Sequence, residues 1–237
     1  MIRIYSFVFN RPDLLLTQFN SFKKNLVNDF EFNVVCDYRD ETYANKFEKI
    51  CEDNKLSFFK HRSYAGSNPS VYHGNCLDWT YNNVILKEST NDDIIFLIDH
   101  DMFMRKRFDI KEYMKDCDIA GRLQTRGNTS YIWPGLMLFK IDKVKDINFS
   151  FLPCVSLNGE GLDTGGQTYK LLNALTSKFA DFKYFKSHDD PELDKYDFEL
   201  HLDEVFLHSA NASNWNNNFL ITNDEKNTTL NRLLEDL

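Results

Sequence analysis

Asp99 and Asp101 flank His100 directly after the apolar run of residues 94–98. Two carboxylates one residue apart at the mouth of a buried strand face one site if the chain turns there. Their oxygens suit a hard divalent cation, Mn²⁺ or Mg²⁺, whose remaining positions are filled by water and phosphate oxygens. A cation so held neutralises a diphosphate and stabilises it as a leaving group. The plain alternative is that the two acids cap a turn; their position after an apolar strand favours the metal site. Farther along, residues 158–166 (NGEGLDTGG) are dense in glycine and precede a helical pattern, as where backbone closes on a ligand. Asp163 in that stretch is either a helix cap or a general base toward an acceptor hydroxyl, with Glu160 a weaker candidate base.

The elements that must position these groups alternate through the first hundred residues. Residues 2–9 read as a buried strand, followed by Asn10-Arg11-Pro12-Asp13, a cap-like Asn and a Pro near a first helical turn. Leu15, Phe19, Phe22 and Leu26 then recur at helical spacing. Strands are expected over 30–36, 56–60 and 94–98. Helices are expected around Tyr43, Phe47, Ile50 and Cys51 and over 75–87. This β-α-β-α-β-α-β order implies α/β architecture: a mainly parallel central sheet with helices on both faces. Ligands of such sheets gather at the carboxyl ends of strands, so the loops after Phe9, Cys36, Lys60 and Ile98 should share one rim. The second half is less regular. Strands are expected over 119–123 and 135–141 with a further one over 131–133, a helix over 164–178, a short strand over 205–207, and a C-terminal helix over 224–237.

Bulk properties narrow the classes. The 237 residues are 42% hydrophobic and 15% aromatic, enough for a large core and against disorder. A net charge of −8 argues against a sequence-independent nucleic-acid binder, which needs a basic footprint. An anionic small ligand stays compatible with that charge through a bridging cation. The five cysteines form no CxxC pair and read as free thiols of a reducing compartment. Residues 1–9 read as a strand rather than a leader, and no apolar run approaches a membrane span of about 20 residues. The expected location is therefore cytoplasmic, or host cytoplasm for a viral chain.

The segment IIFLIDHDMFM (94–104) resembles the strand and D-x-D motif of GT-A glycosyltransferases. IRIYSFVFNRPDLLLTQFNSF (2–22) resembles the opening strand, nucleotide-binding loop and first helix of family 2-like members, and YHGNCLDWTYNNVI (72–85) the helix before the D-x-D strand. The resemblance covers residues 1–105 closely and the remainder loosely. It implies one GT-A (Rossmann-like) domain over 1–237, with a nucleotide-sugar half (1–105) and an acceptor half (106–237).

It further implies a metal-dependent enzyme moving a sugar from a UDP-linked or similar donor to a hydroxyl of a glycan or other acceptor. Asp99 and Asp101 would hold the metal, and His208, in FLHSANASNW, would complete its shell, with Trp215 in a loop that closes over the diphosphate. Asp37, after FNVVC, would meet the base or ribose. The 6–11 loop would meet the nucleotide through the backbone near Phe7, through Asn10 and through Arg11 on a phosphate. His73 is expected just before a helix, favouring an anion there or simply capping or packing. Trp133, in WPGLMLF, resembles part of the acceptor wall and offers a flat face to a sugar, or else sits in the core. A nucleotidyltransferase is disfavoured because FNRPD is not a Gly-rich triphosphate loop, and a catalytically silent carbohydrate-binding protein because both D-x-D acids are intact.

Overall fold

The computed structural model describes residues 1–63, 68–156, 158–175, 178–212 and 222–235. Strands β1 (Ile2–Val8), β2 (Phe30–Asp37), β3 (Ser57–His61) and β4 (Ile94–Asp99) lie side by side in the order β4-β1-β2-β3, all parallel. Helices α1 (Pro12–Asn25), α2 (Glu41–Asn54) and α3 (Pro69–Thr80) make the crossovers, α3 running on through a π turn (Tyr81–Ile85) into α4 (Leu86–Glu88). The sheet is extended beyond β4 by β7 (Thr129–Lys140), β6 (Ile119–Arg126) and β10 (Phe179–Asp181), giving seven strands in the order β10-β6-β7-β4-β1-β2-β3. Only the β4–β7 and β6–β7 pairings are antiparallel. The mainly parallel α/β sheet expected from the element order is thus the one observed, and both halves of the chain contribute to it.

The apolar runs are continuous because the strands are buried on both faces. In β4, Ile94, Phe96 and Ile98 pack with Leu15, Phe22, Phe47 and Cys51 of α1 and α2. Ile95 and Leu97 point the other way, among Cys76, Leu77, Val84 and Ile85 of the α3 side. A second, antiparallel sheet is represented in the expected strand list by a single strand, the one over 205–207, which is observed at Phe206–Ser209. It runs β11 (Tyr184–Phe185), β12 (Phe198–His201), β13 (Phe206–Ser209) and β5 (Met102–Met104). Phe206, Met102 and Met104 bury one of its faces against α1 and the large sheet, and Phe103, Phe198 and Leu207 bury the other with Leu230 of α9 (Asn223–Glu235). Smaller pieces complete the chain: α5 (Ile110–Tyr113), α6 (Ile141–Val144), the β8–β9 ribbon (Cys154–Val155, Gly161–Leu162), α7 (Tyr169–Ala174) and α8 (Pro191–Lys195). No helix among the described residues is long and apolar enough to cross a membrane, and all five cysteines are free thiols.

Several expectations are corrected. The helix expected over 75–87 begins at Pro69, six residues earlier, because Asn68 caps it by accepting from the Ser70 N–H and Pro69 presets the first turn. Residues 129–140 form one strand rather than two, and the expected 164–178 helix is a 3₁₀ turn followed by the six-residue α7. At the start of α1 the cap position is Arg11, not Asn10, and no side chain caps it.

Arg11, expected on a phosphate, is turned the other way. Its guanidinium is bonded to Asp13, to the Ala212 carbonyl, and to Asn223 and Asn227 of α9, with the side chain 7% exposed. A cation so enclosed is a tether between α1 and the C-terminal helix. Arg11→Ala is therefore expected to lower unfolding stability by about 1–3 kcal/mol by leaving buried acceptors without a donor. Hydrogen exchange in α9 should accelerate while nucleoside diphosphate affinity stays unchanged; lost affinity with unchanged exchange would return Arg11 to the ligand.

Candidate active site

The carboxyl end of β4 is where the two sheets meet. Asp99 ends the large sheet and Met102 opens the small one, so the turn between them holds His100 and Asp101. Buried groups pin that turn. Gln18 of α1, wholly inaccessible, donates through Nε2 to the Asp99 carbonyl at 2.7 Å and the Met102 carbonyl at 2.8 Å, and its Oε1 accepts from Ser6 at 2.6 Å. The His100 N–H donates to the Phe7 carbonyl at 3.2 Å, and the Ser209 N–H to the Asp101 carbonyl at 2.8 Å. Across the sheet, an added Cβ on Gly135 would lie 2.4 Å from Asp99 Oδ2 and 2.3 Å from the Trp133 ring. Only glycine lets β7 pass that close to the carboxylate.

A concave cavity of about 80 Å³ opens over this turn, lined by Phe7, Val8, Phe9, Asp37, His73, Asp99, His100 and Asp101. These residues come from the carboxyl ends of β1, β2 and β4 and from α3, so three of the four strand ends expected to share a rim line the cavity, while none of the lining residues comes from the end of β3. Phe7 lies within β1 rather than in the loop after it. Asp37 is 8% exposed, and its Oδ1 has no hydrogen-bond partner among the described residues. Burial raises its pKa, against the opposing hydrogen bond with Ser63. His73 is inside α3, not before it; its ring packs 5.7 Å from Phe7, and Nε2 lies 3.3 Å from Asp99 Oδ1. Burial lowers its pKa, so the ring favours the neutral form. Asn10 is not among the lining residues.

His208 reaches the acidic turn through register. It sits opposite Met102 in the β13–β5 pair, which carries its Nε2 to 3.6 Å from Asp101 Oδ1. Its Nδ1 lies 3.4 Å from Glu199 Oε2, contributed by β12. Burial alone would lower the His208 pKa, but the carboxylates of Asp101 and Glu199 outweigh it and raise it. Glu199, His201 and His208 form a group whose ligand-type atoms all lie within 4.8 Å of one another. His201 is fully buried with neither ring nitrogen hydrogen-bonded, and burial followed by the charges of His208 and Arg122 pushes its pKa down to about 3. Trp133 is half-buried beside them, 5.4 Å from the His208 ring, with the Arg122 guanidinium 5.6 Å over its face. None of Gln18, Glu199, His201, Arg122 or Gly135 was expected from the sequence. Their roles come from pairings between distant segments that carry no local pattern.

Asp163 is not a helix cap. The cap position is Gly165, in the left-handed region at φ 84°, where Cβ-bearing residues are strained. The Asp163 carboxylate accepts from the Ser70 hydroxyl and from the Thr164 N–H at 2.8 Å, and Arg126 Nη2 lies 3.7 Å away. Its charge is felt at both Asp99 and His73. Trp215 and the rest of 213–221 lie outside the described residues.

No protein-family model matches this sequence, and no curated protein matches it. Glycosyltransferases are among the solved structures that resemble this chain. They include a mannosyltransferase from Pyrobaculum calidifontis in complex with GDP-Man and Mn²⁺, at 12% identity over 76% of this chain and 53% of that one, TM-score 0.47. A galactosyltransferase, LgtC, in complex with donor and acceptor sugar analogs matches at 11% identity over 60% of this chain and 59% of that one, TM-score 0.40. TarS 1–349 from S. aureus matches at 15% identity over 98% of this chain and 70% of that one, TM-score 0.44. The chain thus spans little more than half the length of the first two. What those proteins bind is theirs; the functional reading of this chain rests on its own residues.

Burial, and then the charge of Asp101, push the Asp99 carboxyl up to about 7. A carboxyl whose folded pKa is raised contributes stability below its unfolded value and loses it as pH rises through the folded value. Without metal, this contribution is therefore present below the ordinary 3.8 and lost on the way through about 7. In EDTA, Asp99→Asn should raise the melting temperature relative to wild type at about pH 8 much more than at about pH 5. A difference that is flat across that range would show that Asp99 ionises without penalty.

Proposed function

We propose that the chain is a divalent-metal-dependent glycosyltransferase that moves a sugar from a nucleoside diphosphate donor to a hydroxyl of a carbohydrate acceptor. The observation that carries this reading is the acidic turn at the strand-end cavity, where Asp99 and Asp101 line the wall and His208 Nε2 lies 3.6 Å from Asp101 Oδ1. The residues fit a cation: burial and the like charge of Asp101 raise the cost of ionising Asp99, and a counter-charge would relieve it. Their oxygens with one imidazole nitrogen suit Mn²⁺ better than Mg²⁺. When bound there, the ion supplies charge neutralisation of the departing diphosphate.

The chain's own groups take the other roles. Asp37 aims a buried, unbonded oxygen into the cavity, suited to accept from a ribose hydroxyl or a nucleobase N–H such as that of uracil. The Phe7–Phe9 backbone and the His73 ring border the same space. Trp133 offers its face to an acceptor sugar beside His208. Asp163, whose charge is felt at Asp99 and His73, takes the acceptor proton in an inverting transfer. Ser70 and Arg126 hold its carboxylate in place.

A thermal-shift panel of UDP- and GDP-sugars with and without Mn²⁺ tests the donor, since ligands that bind only the folded state raise its melting temperature. Stabilisation by a nucleotide sugar that needs Mn²⁺, followed by transfer or donor hydrolysis, is the expected result. Binding without any turnover would mark a silent carbohydrate-binding protein instead. Asp101→Asn should leave the fold intact and reduce Mn²⁺-dependent turnover by about 10²-fold or more, the rate equivalent of several kcal/mol of leaving-group stabilisation. Turnover indifferent to both this change and EDTA would exclude the metal reading. Asp163→Asn should lower transfer by about 10²–10⁴-fold with donor affinity unchanged. Normal transfer with lowered thermal stability would leave Asp163 a purely structural role.

A further inference from the structure

His208 faces two carboxylates through its two different nitrogens: Nε2 lies 3.6 Å from Asp101 Oδ1, and Nδ1 lies 3.4 Å from Glu199 Oε2. The second contact is built into the sheet, because Glu199 and His208 are direct cross-strand partners in the β12–β13 pair. Glu199 is itself held. The Tyr184 hydroxyl on the neighbouring strand β11 bonds to its carboxylate, and Arg122 Nη1 of β6 lies 3.7 Å from Oε2. Arg122 is fixed in turn over the Tyr184 ring at 4.0 Å.

We propose that Glu199 is a positioning residue that sets the ring orientation and tautomer of His208, so that Nε2 carries its lone pair toward Asp101 and the ion. An ionised carboxylate can only accept, so the nitrogen facing it must carry a proton. With Nδ1 protonated, the neutral ring has its lone pair on Nε2, the atom that reaches the acidic turn. A residue with no ligand contact of its own thus fixes both the identity and the aim of the donor atom, as outer partners of metal-bound histidines do. The inference rests on the metal reading above and adds to it a residue three strands from β4 in the β5–β13–β12 succession.

The adjacent His201 offers a competing arrangement. Its Nε2 lies 3.8 Å from the same Glu199 oxygen, so Glu199, His201 and His208 Nδ1 would together suit a separate ion. Arg122 beside Glu199 and the Asp101 contact of His208 favour the positioning role.

The experiment combines Mn²⁺ titration followed by electron paramagnetic resonance, without nucleotide, with ¹⁵N chemical shifts of His208 at a pH where its ring is neutral. It compares wild type, Glu199→Ala, Glu199→Gln and Asp101→Asn. Wild type should bind one Mn²⁺, lost in Asp101→Asn, with His208 protonated on Nδ1. Glu199→Ala should weaken Mn²⁺ about 10–100-fold and mix the tautomers. Glu199→Gln, whose amide oxygen still accepts from Nδ1, should recover most of both. Wild-type affinity and an unchanged tautomer in Glu199→Ala would overturn the positioning role. A second Mn²⁺ lost in Glu199→Ala but kept in Asp101→Asn would overturn it in favour of the Glu199–His201–His208 site. Wild type that binds no Mn²⁺ would instead overturn the metal reading on which the inference stands.

Discussion

The structure turns on two carboxylates held close together, largely out of water, at the end of the most apolar strand. Like charges in that setting resist ionisation, and burial together with Asp101 raises the Asp99 carboxyl to about 7. Such an arrangement persists only where surrounding structure over-determines it. Here the backbone on either side of the pair is pinned by one buried side chain, Gln18, which bonds the Asp99 and Met102 carbonyls together. Gly135 keeps the antiparallel neighbour from crowding Asp99. His208 brings an imidazole to Asp101 and His73 brings one to Asp99.

That constraint also explains why a second, antiparallel sheet packs beside the large one. A chain that simply continued past Ile98 would carry Asp101 away with the large sheet. Instead it breaks at His100 and re-enters as β5, the edge of an antiparallel sheet whose next strand carries His208. The short β5 is wholly buried, with Met102 and Met104 on one core and Phe103 on another, so its register against β13 is set by packing on both faces. A slip by one residue would turn His208 from Asp101 to the opposite face. The aromatic contacts of Phe206 with Phe22, Phe96 and Phe108 lock the small sheet onto the large one on the same side as α1. Arg11 and its α9 partners then close the edge where α1 meets the C-terminal helix.

Electrostatically the site is graded rather than uniform. Asp99 and Asp37 are raised mainly by burial, His201 is kept neutral by burial and neighbouring cations, and Glu199 is brought down to about 2 by hydrogen bonds from His208 and Tyr184 that outweigh its burial. Neutral and charged groups of the same chemical type therefore stand within one small region. That separation of environments is what lets acids of similar intrinsic strength take different roles.

The parallel half of the fold and the acidic turn were legible in the sequence because both are local. Apolar runs at strand length, helical spacing such as Leu15, Phe19 and Phe22, and acids directly after residues 94–98 each lie within a short window. Asp37, singled out through the family resemblance, does line the cavity. The surroundings of Arg11 were not legible, because proximity to the first loop says nothing about where a long side chain points, and apart from Asp13 its partners are some 200 residues away: Ala212 at a separation of 201 and Asn227 at 216. The start of α3 was misplaced because the expectation followed apolar spacing and passed over the Asn68-Pro69 cap. Glu199, Gln18 and Gly135 bear no mark in one dimension, since a glutamate in FEL, a glutamine in a helix and a glycine in a strand are ordinary there. Only tertiary structure decides that they surround one turn, because strand register and helix docking, not sequence neighbourhood, set which groups share a few ångströms of space.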